Sequence, residues 1–203
     1  MTTRPRLTYF DAPVSRGEEC RLAFVIAGVD FEDHRVTRDE WAALKPKTPF
    51  GSVPVLEVPG HAPIAQSNAI LAYIGRRYGA HPTDLAEAAR HEALMAAVED
   101  LRAAAAATGR HSNEGEKRAA REQFAAGTLR TWAGHVEAQL GDGPFVAGAA
   151  PMVADVKIYM GVRAFRRGVM DYIPTTCFDD FPKIVRLSEA FEAHPPVKAW
   201  LAR

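Results

Sequence analysis

The chain has 203 residues, enough for one large domain or two small ones and for a hydrophobic core without metal or disulfide staples. Apolar residues make up 47% and charged residues 25%, which excludes a disordered chain. Basic and acidic residues balance at 25 each, so the excess that a nucleic-acid groove needs is missing, and little net charge opposes self-association.

The start, Met1 to Arg6, is polar and carries no apolar leader, and no run approaches the roughly 20 apolar residues of a membrane span. Cys20 and Cys177 form neither a CxxC nor a zinc cluster. The expectation is a reduced, cytoplasmic protein with no membrane or nucleic-acid partner.

The first 80 residues are punctuated. Leu7-Thr8-Tyr9-Phe10 predicts a strand that ends at Asp11-Ala12-Pro13. Arg16 to Ala27 has helical spacing, with Leu22, Val25 and Ile26 on one face and Gly28 at the C-terminal glycine position. Phe31 to Val36 completes a βαβ unit with a right-handed crossover. Glu40 to Phe50 predicts a loop or short helix broken by Pro46 and Pro49. Val53 to Val58 and Ala62 to Ala65 then read as a hairpin about Pro59-Gly60, and Ser67 opens a helix to about Tyr78.

Beyond Gly79-Ala80-His81-Pro82 every predicted element is helical. Asp84 to Ala107 is long and free of Gly and Pro, and Glu116 to Leu140 is a second long helix with Gly127 and Gly134 as weak points. Pro151–Gly168, Phe181–His194 and Pro196–Leu201 follow. The expected architecture is an α/β domain over residues 1–80, βαβ-ββα with a mixed four-stranded sheet, and an all-helical domain over residues 84–203.

Four places could carry chemistry. Gln66-Ser67-Asn68 begins a helix, where amides and the helix dipole attract an anion, although a serine there ordinarily just caps the helix. Val53-Pro54 is a candidate for a cis peptide bond that would leave the Val53 backbone free for an extended ligand. Tyr9 stands at the carboxyl end of the first strand, where open α/β sheets bind ligands. Glu99-Asp100-Leu101-Arg102 reads first as a solvated charged face. The seven histidines lack HxxxH or HExxH spacing, and GxGxxG, Walker and GxSxG motifs are missing, which argues against a metal site or a nucleotide loop.

Together these segments resemble the cytosolic glutathione S-transferase family, sigma class first. The resemblance runs through Leu7-Thr8-Tyr9-Phe10, Arg16-Gly17-Glu18 with Arg21, Phe31 to Val36, Trp41, Lys45, Pro49 to Val58 and Gln66 to Leu71. Val98 to Arg102 is similar to the pi class, and Phe181 to Val185 and Pro195 to Leu201 are of the family's type. The likeness therefore spans essentially the whole chain.

The resemblance implies a thioredoxin-like first domain, a homodimer, and glutathione as co-substrate with no metal. Tyr9 would hydrogen-bond the glutathione sulfur, with Arg16 supporting it electrostatically. Trp41 and Lys45 would hold the glycine end, Val53 beside cis-Pro54 the cysteinyl backbone, and Gln66 and Ser67 the γ-glutamyl group. Asp100 would reach glutathione in the other subunit. The implied activity is thiolate attack on small hydrophobic electrophiles. A glutathione-dependent isomerase or peroxidase and a non-catalytic ligand-binding protein are the alternatives.

Two departures stand out. The segment from Phe10 to Arg16 is one residue longer than the sigma pattern and places Ser15, a rival to Tyr9, before the helix. Met152 stands where the family has Ser or Thr three residues before Asp155, leaving a capping box incomplete. The electrophile pocket is expected between Asp11–Ser15 and the helix bearing Arg102, Ala106 and Arg110.

Overall fold

In the computed structural model, which describes residues 4–203, strand β1 (Arg6–Phe10) lies between β2 (Glu32–Val36) and β3 (Val55–Glu57), and β4 (Ile64–Ala65) pairs with β3. β1 runs parallel to β2, with Tyr9 opposite Arg35, and antiparallel to β3, with Leu7 opposite Leu56. This is the mixed four-stranded sheet that the βαβ-ββα pattern predicts. The crossover is helix α1 (Ser15–Ile26), ended by Gly28 at a φ of 64°, the left-handed conformation that glycine adopts without strain.

The burial of α1 departs from its apolar spacing. Gly17 through Phe24 are all buried, whereas Val25 and Ile26 are only partly so. The helix packs on β1, α3, α7 and α9 at once, so from Gly17 to Phe24 it has no solvent stripe and the charged residues of that stretch must be paired inside. The segment expected as a loop or short helix after β2 holds α2 (Arg38–Leu44), opened by a capping box. The Thr37 hydroxyl accepts the Glu40 N–H at 3.3 Å, and Glu40 accepts the Thr37 N–H at 2.7 Å. A 3-10 turn, Lys45–Lys47, follows, and neither element buries a residue.

Helix α3 (Ser67–Tyr78) corrects one expectation. The cap position belongs to Gln66, at a φ of 73°, and Ser67 is the first helical residue. The Ser67 hydroxyl is therefore not spent on capping.

The helical half comprises α4 (Leu85–Ala107), α5 (Glu114–Phe124), α6 (Arg130–Gln139), α7 (Val153–Arg166), α8 (Pro182–Ala193) and α9 (Pro195–Leu201). Asp84 caps α4 by accepting the Glu87 N–H at 2.9 Å. The second long helix is divided by a π-helical segment, Ala125–Leu129, around Gly127, one of its two predicted weak points. Every residue of α7 from Val153 to Val162 is buried, including Asp155 and Lys157. Asp155 accepts the Met152 and Val146 N–H groups, each at 2.8 Å, so the acidic half of the helix-start box forms even though Met152 has no hydroxyl to offer. No described helix is long and apolar enough to cross a membrane.

Candidate functional site

Tyr9 is the penultimate residue of β1, and its half-buried ring packs against α1 at Gly17. A Cβ on Gly17 would come within 1.9 Å of a Tyr9 ring carbon, so only glycine lets the helix approach this closely. The Arg21 guanidinium stands 5.7 Å from the ring centroid, and Phe10 meets the ring edge-on at 5.5 Å. Arg21 is wholly buried, yet it is satisfied by Asp33 at 2.9 Å, Glu18 at 3.3 Å and the Phe10 and Ala12 carbonyls. The end of β1 is thus fixed by helix packing and by a buried cation.

The other residues expected to hold a ligand occupy four places. Trp41 of α2 contacts Phe10 edge-on at 5.9 Å and, with Asp11, Val36 and Arg38, lines a cleft of about 630 Å³. Lys45 runs beside Gly51, with its Cε 3.8 Å from the place a Cβ would occupy. The Val53–Pro54 peptide bond is cis, and β3 begins only at Val55, so Val53 lies outside the sheet ladder. Gln66 is exposed, and Ser67 is buried beside α7.

Arg16 does not stand free. Its Nε and Nη2 donate to Glu99 Oε2 at 3.1 and 2.5 Å. The other Glu99 oxygen receives Arg102 at 3.1 Å and Lys157 at 2.5 Å. Lys157 also donates to Glu19 at 2.8 Å and to the Ser67 hydroxyl at 3.3 Å, and Arg102 is ion-paired with Glu19. Burial would raise the Glu99 carboxyl, but hydrogen bonds from Arg16 and Lys157 and the Lys157 and Arg102 charges outweigh it and hold it at about 2.

This network was invisible to sequence reasoning. The signal is a lone lysine inside the otherwise uncharged run Val156 to Val162. The run Glu99 to Arg102 reads in sequence as a solvated face, and nothing there singles out Glu19.

A second cleft, about 450 Å³, opens next to Arg16. Val14, Ser15, Ala106, Met160 and Phe165 form its apolar and small walls, and Arg102, Arg163 and Arg167 its cations. It matches the expected pocket in Ser15, Arg102 and Ala106. Arg110 is corrected: it lies beyond the end of α4, exposed and outside this lining, and Arg163 of α7 and Arg167 just past its end supply cations instead. Ser15 takes a positive φ of 57° at the first turn of α1.

Asp100 is set apart from the other candidates. It lies in a groove of about 440 Å³ between α4 and α6, with Leu94, Ala97, Trp132 and Val136. A one-residue step on a helix turns a side chain by about 100°. Glu99 and Asp100 consequently serve different surfaces.

The cysteines are no better placed for chemistry than their spacing suggested. Burial pushes the Cys20 thiol far above its ordinary range and the Cys177 thiol up to about 11. Among the described residues no group of three His, Cys, Asp or Glu could hold a metal.

Compared with known families, residues 5–76 match the glutathione S-transferase N-terminal domain and residues 99–203 the glutathione S-transferase C-terminal domain. The chain belongs to the glutathione S-transferase family. Its thioredoxin-like N-terminal sheet and helical C-terminal half are the two parts of that fold.

Among relatives, this transferase-family chain is 30% identical to a hematopoietic prostaglandin D synthase of Gallus gallus over 198 residues, covering 98% of this chain and 95% of that protein. It is 57% identical to glutathione S-transferase 1 of Ascaris suum over 74 residues, 36% of this chain and 35% of that one. The crystal structure of the glutathione S-transferase from Ascaris lumbricoides superposes with a TM-score of 0.84 at 30% identity, covering 98% of this chain and 96% of that one. A monomeric glutathione S-transferase from the hookworm Necator americanus superposes at 0.85 with 27% identity, over 98% and 96% of the two chains.

Proposed function

We propose that this protein is a tyrosine-type glutathione transferase in which the Tyr9 hydroxyl donates to the thiolate of bound glutathione. The observation that carries the reading is the fixed end of β1: Tyr9 pressed on Gly17, whose chain neighbour Arg16 lines the apolar cleft. Gln66, Ser67, Val53, Trp41 and Lys45 would hold the tripeptide, with residues 1–80 supplying its site and residues 84–203 the electrophile pocket.

The energetics suit one hydroxyl. A free thiol has a pKa of about 8.5, so only a few per cent is ionised at pH 7. Lowering it by two units requires about 2.7 kcal/mol, and a hydrogen bond to a charged group supplies roughly 1.5–3 kcal/mol. Tyr9 stabilises S⁻ by donating and keeps its own proton. The remaining acceleration comes from holding the electrophile in the cleft beside the sulfur.

Tyr9→Phe is expected to lower turnover by roughly 10–100-fold with little change in glutathione affinity. Steady-state kinetics with a small aryl electrophile checks this, and unchanged turnover would transfer the role to Ser15. Isomerisation is the second reading, supported by the likeness to a prostaglandin D synthase over nearly the full length. Product analysis separates the readings, since a conjugate consumes glutathione, an isomerase regenerates it and a peroxidase oxidises it.

A homodimer belongs to the same reading. Phe50 is 68% exposed, and the α4–α6 groove offers Leu94, Ala97 and Trp132. A second copy would cover these surfaces and bring Asp100 to its partner's glutathione. The cytoplasm, where thiols stay reduced, is the compartment this implies.

A further inference from the structure

We propose that Lys157 is a positioning residue for the thiolate site, keeping the charge beside Arg16 positive and turning the Ser67 hydroxyl into a donor. The inference rests on the tyrosine-type reading and adds to it a residue far from the glutathione motifs in sequence.

The argument begins with charge. Paired with Glu99, Arg16 forms a locally neutral couple and would contribute little field of its own. The cluster does not stop there. Glu19 and Glu99 supply two negative charges; Arg16, Arg102 and Lys157 supply three positive ones. The excess of one cation is what a thiolate near Arg16 would experience.

The groups facing Lys157 are Glu19 and Cys20 from α1, Ser67 from α3, and Glu99 and Arg102 from α4. Cys20 stays a neutral thiol, so it does not alter the sum. Taking Lys157 away would leave the cluster neutral, with two carboxylates competing for Arg102 and Arg16.

The second part is geometric. An ammonium has three N–H donors and no acceptor. Lys157 places them on Glu19, Glu99 and Ser67, so each has a partner and the wholly buried cation is satisfied. Because the Ser67 oxygen accepts from Lys157, its own hydrogen points elsewhere. Ser67 is thereby set to donate to an anionic group at the start of α3, as a γ-glutamyl carboxylate would require.

The test is the ionisation of glutathione on the enzyme, followed by ultraviolet thiolate absorbance against pH, together with the pH profile of kcat/KM for a neutral electrophile. Lys157→Met should raise the bound thiol's pKa by about half to one unit and weaken glutathione binding several-fold. Glu19→Gln, which keeps the side-chain shape and adds net positive charge, should lower that pKa. The Glu19→Gln/Lys157→Met double variant restores the excess of one and should return the pKa toward wild type.

A role confined to packing would not produce shifts of opposite sign. The proposal is overturned if folded Lys157→Met leaves the thiol pKa unchanged, or if both single variants move it the same way. Should Lys157→Met fail to fold, Glu19→Gln decides alone, and an unshifted or raised pKa refutes the idea. Wild-type protein that binds no glutathione would overturn the tyrosine-type reading itself, and this inference with it. Loss of turnover in Tyr9→Phe with an unmoved thiol pKa in Lys157→Met would overturn only the inference.

Discussion

The two sides of α4 carry adjacent carboxylates with opposite fates. On the inner side Glu99 is gripped by Arg16, Arg102 and Lys157, and its acidity is greatly increased. On the outer side Asp100 is exposed in an apolar groove against α6. A shared sequence neighbourhood therefore says little about shared environment. A helix sends consecutive residues to different neighbours, and burial magnifies the consequence because an unpaired charge is costly only where water is excluded.

The largest expected effect comes from breaking the inner side. Glu99→Ala leaves Lys157 with one carboxylate and Arg16 with none. Losing one partner of such a pair costs about 3 kcal/mol, which for a chain of this size lowers the melting temperature by roughly 6–12 °C in calorimetry.

The pH dependence has a definite sign. Glu99 is held at about 2 in the folded chain against an ordinary 4.5. Its contribution is thus fully present above pH 4.5 and is lost as pH falls through about 2. Urea midpoints measured across that range should fall less steeply for Glu99→Gln than for wild type; equal slopes would count against the ion-pair account.

On the outer side the expected consequence is association, not folding. Phe50 lies before β3, outside the groove, on the other surface that the same second copy would cover, and Phe50→Asp should turn a dimer into monomers in analytical ultracentrifugation while leaving the far-ultraviolet spectrum unchanged. A wild-type protein that is already monomeric would remove the assignment of the groove to a second copy. The smallest effect is expected for Asp100→Asn: stability within about 0.5 kcal/mol of wild type, and glutathione affinity weakened several-fold. A loss of stability comparable to Glu99→Ala would abolish the contrast between the two sides.

Much of the fold was legible from local chemistry. Proline and glycine positions marked most boundaries, Val53-Pro54 was singled out for a cis bond that is present, and Gly127 marked where the second long helix changes its winding. The face of α1 was not legible, because periodicity assumes one wet side and this helix has none from Gly17 to Phe24. Ser67 was read as a cap from its place at a helix start, but the cap is Gln66 and the serine turns to Lys157. Arg110 is expected with Arg102 and Ala106 beside the pocket, but α4 ends before it, and Arg163 of α7 and Arg167 just past its end stand there instead.

The sequence by itself determined the order of strands and helices and the turn positions, because each depends on contacts within a few residues, and it nominated Tyr9, Val53, Gln66 and Ser67 as candidates. Only the tertiary structure decided which charges meet. Glu19 and Lys157 lie 138 residues apart along the chain, and no local pattern links them. They are paired because α1 and α7 bury each other, and a buried carboxylate and a buried ammonium are tolerable only in each other's company.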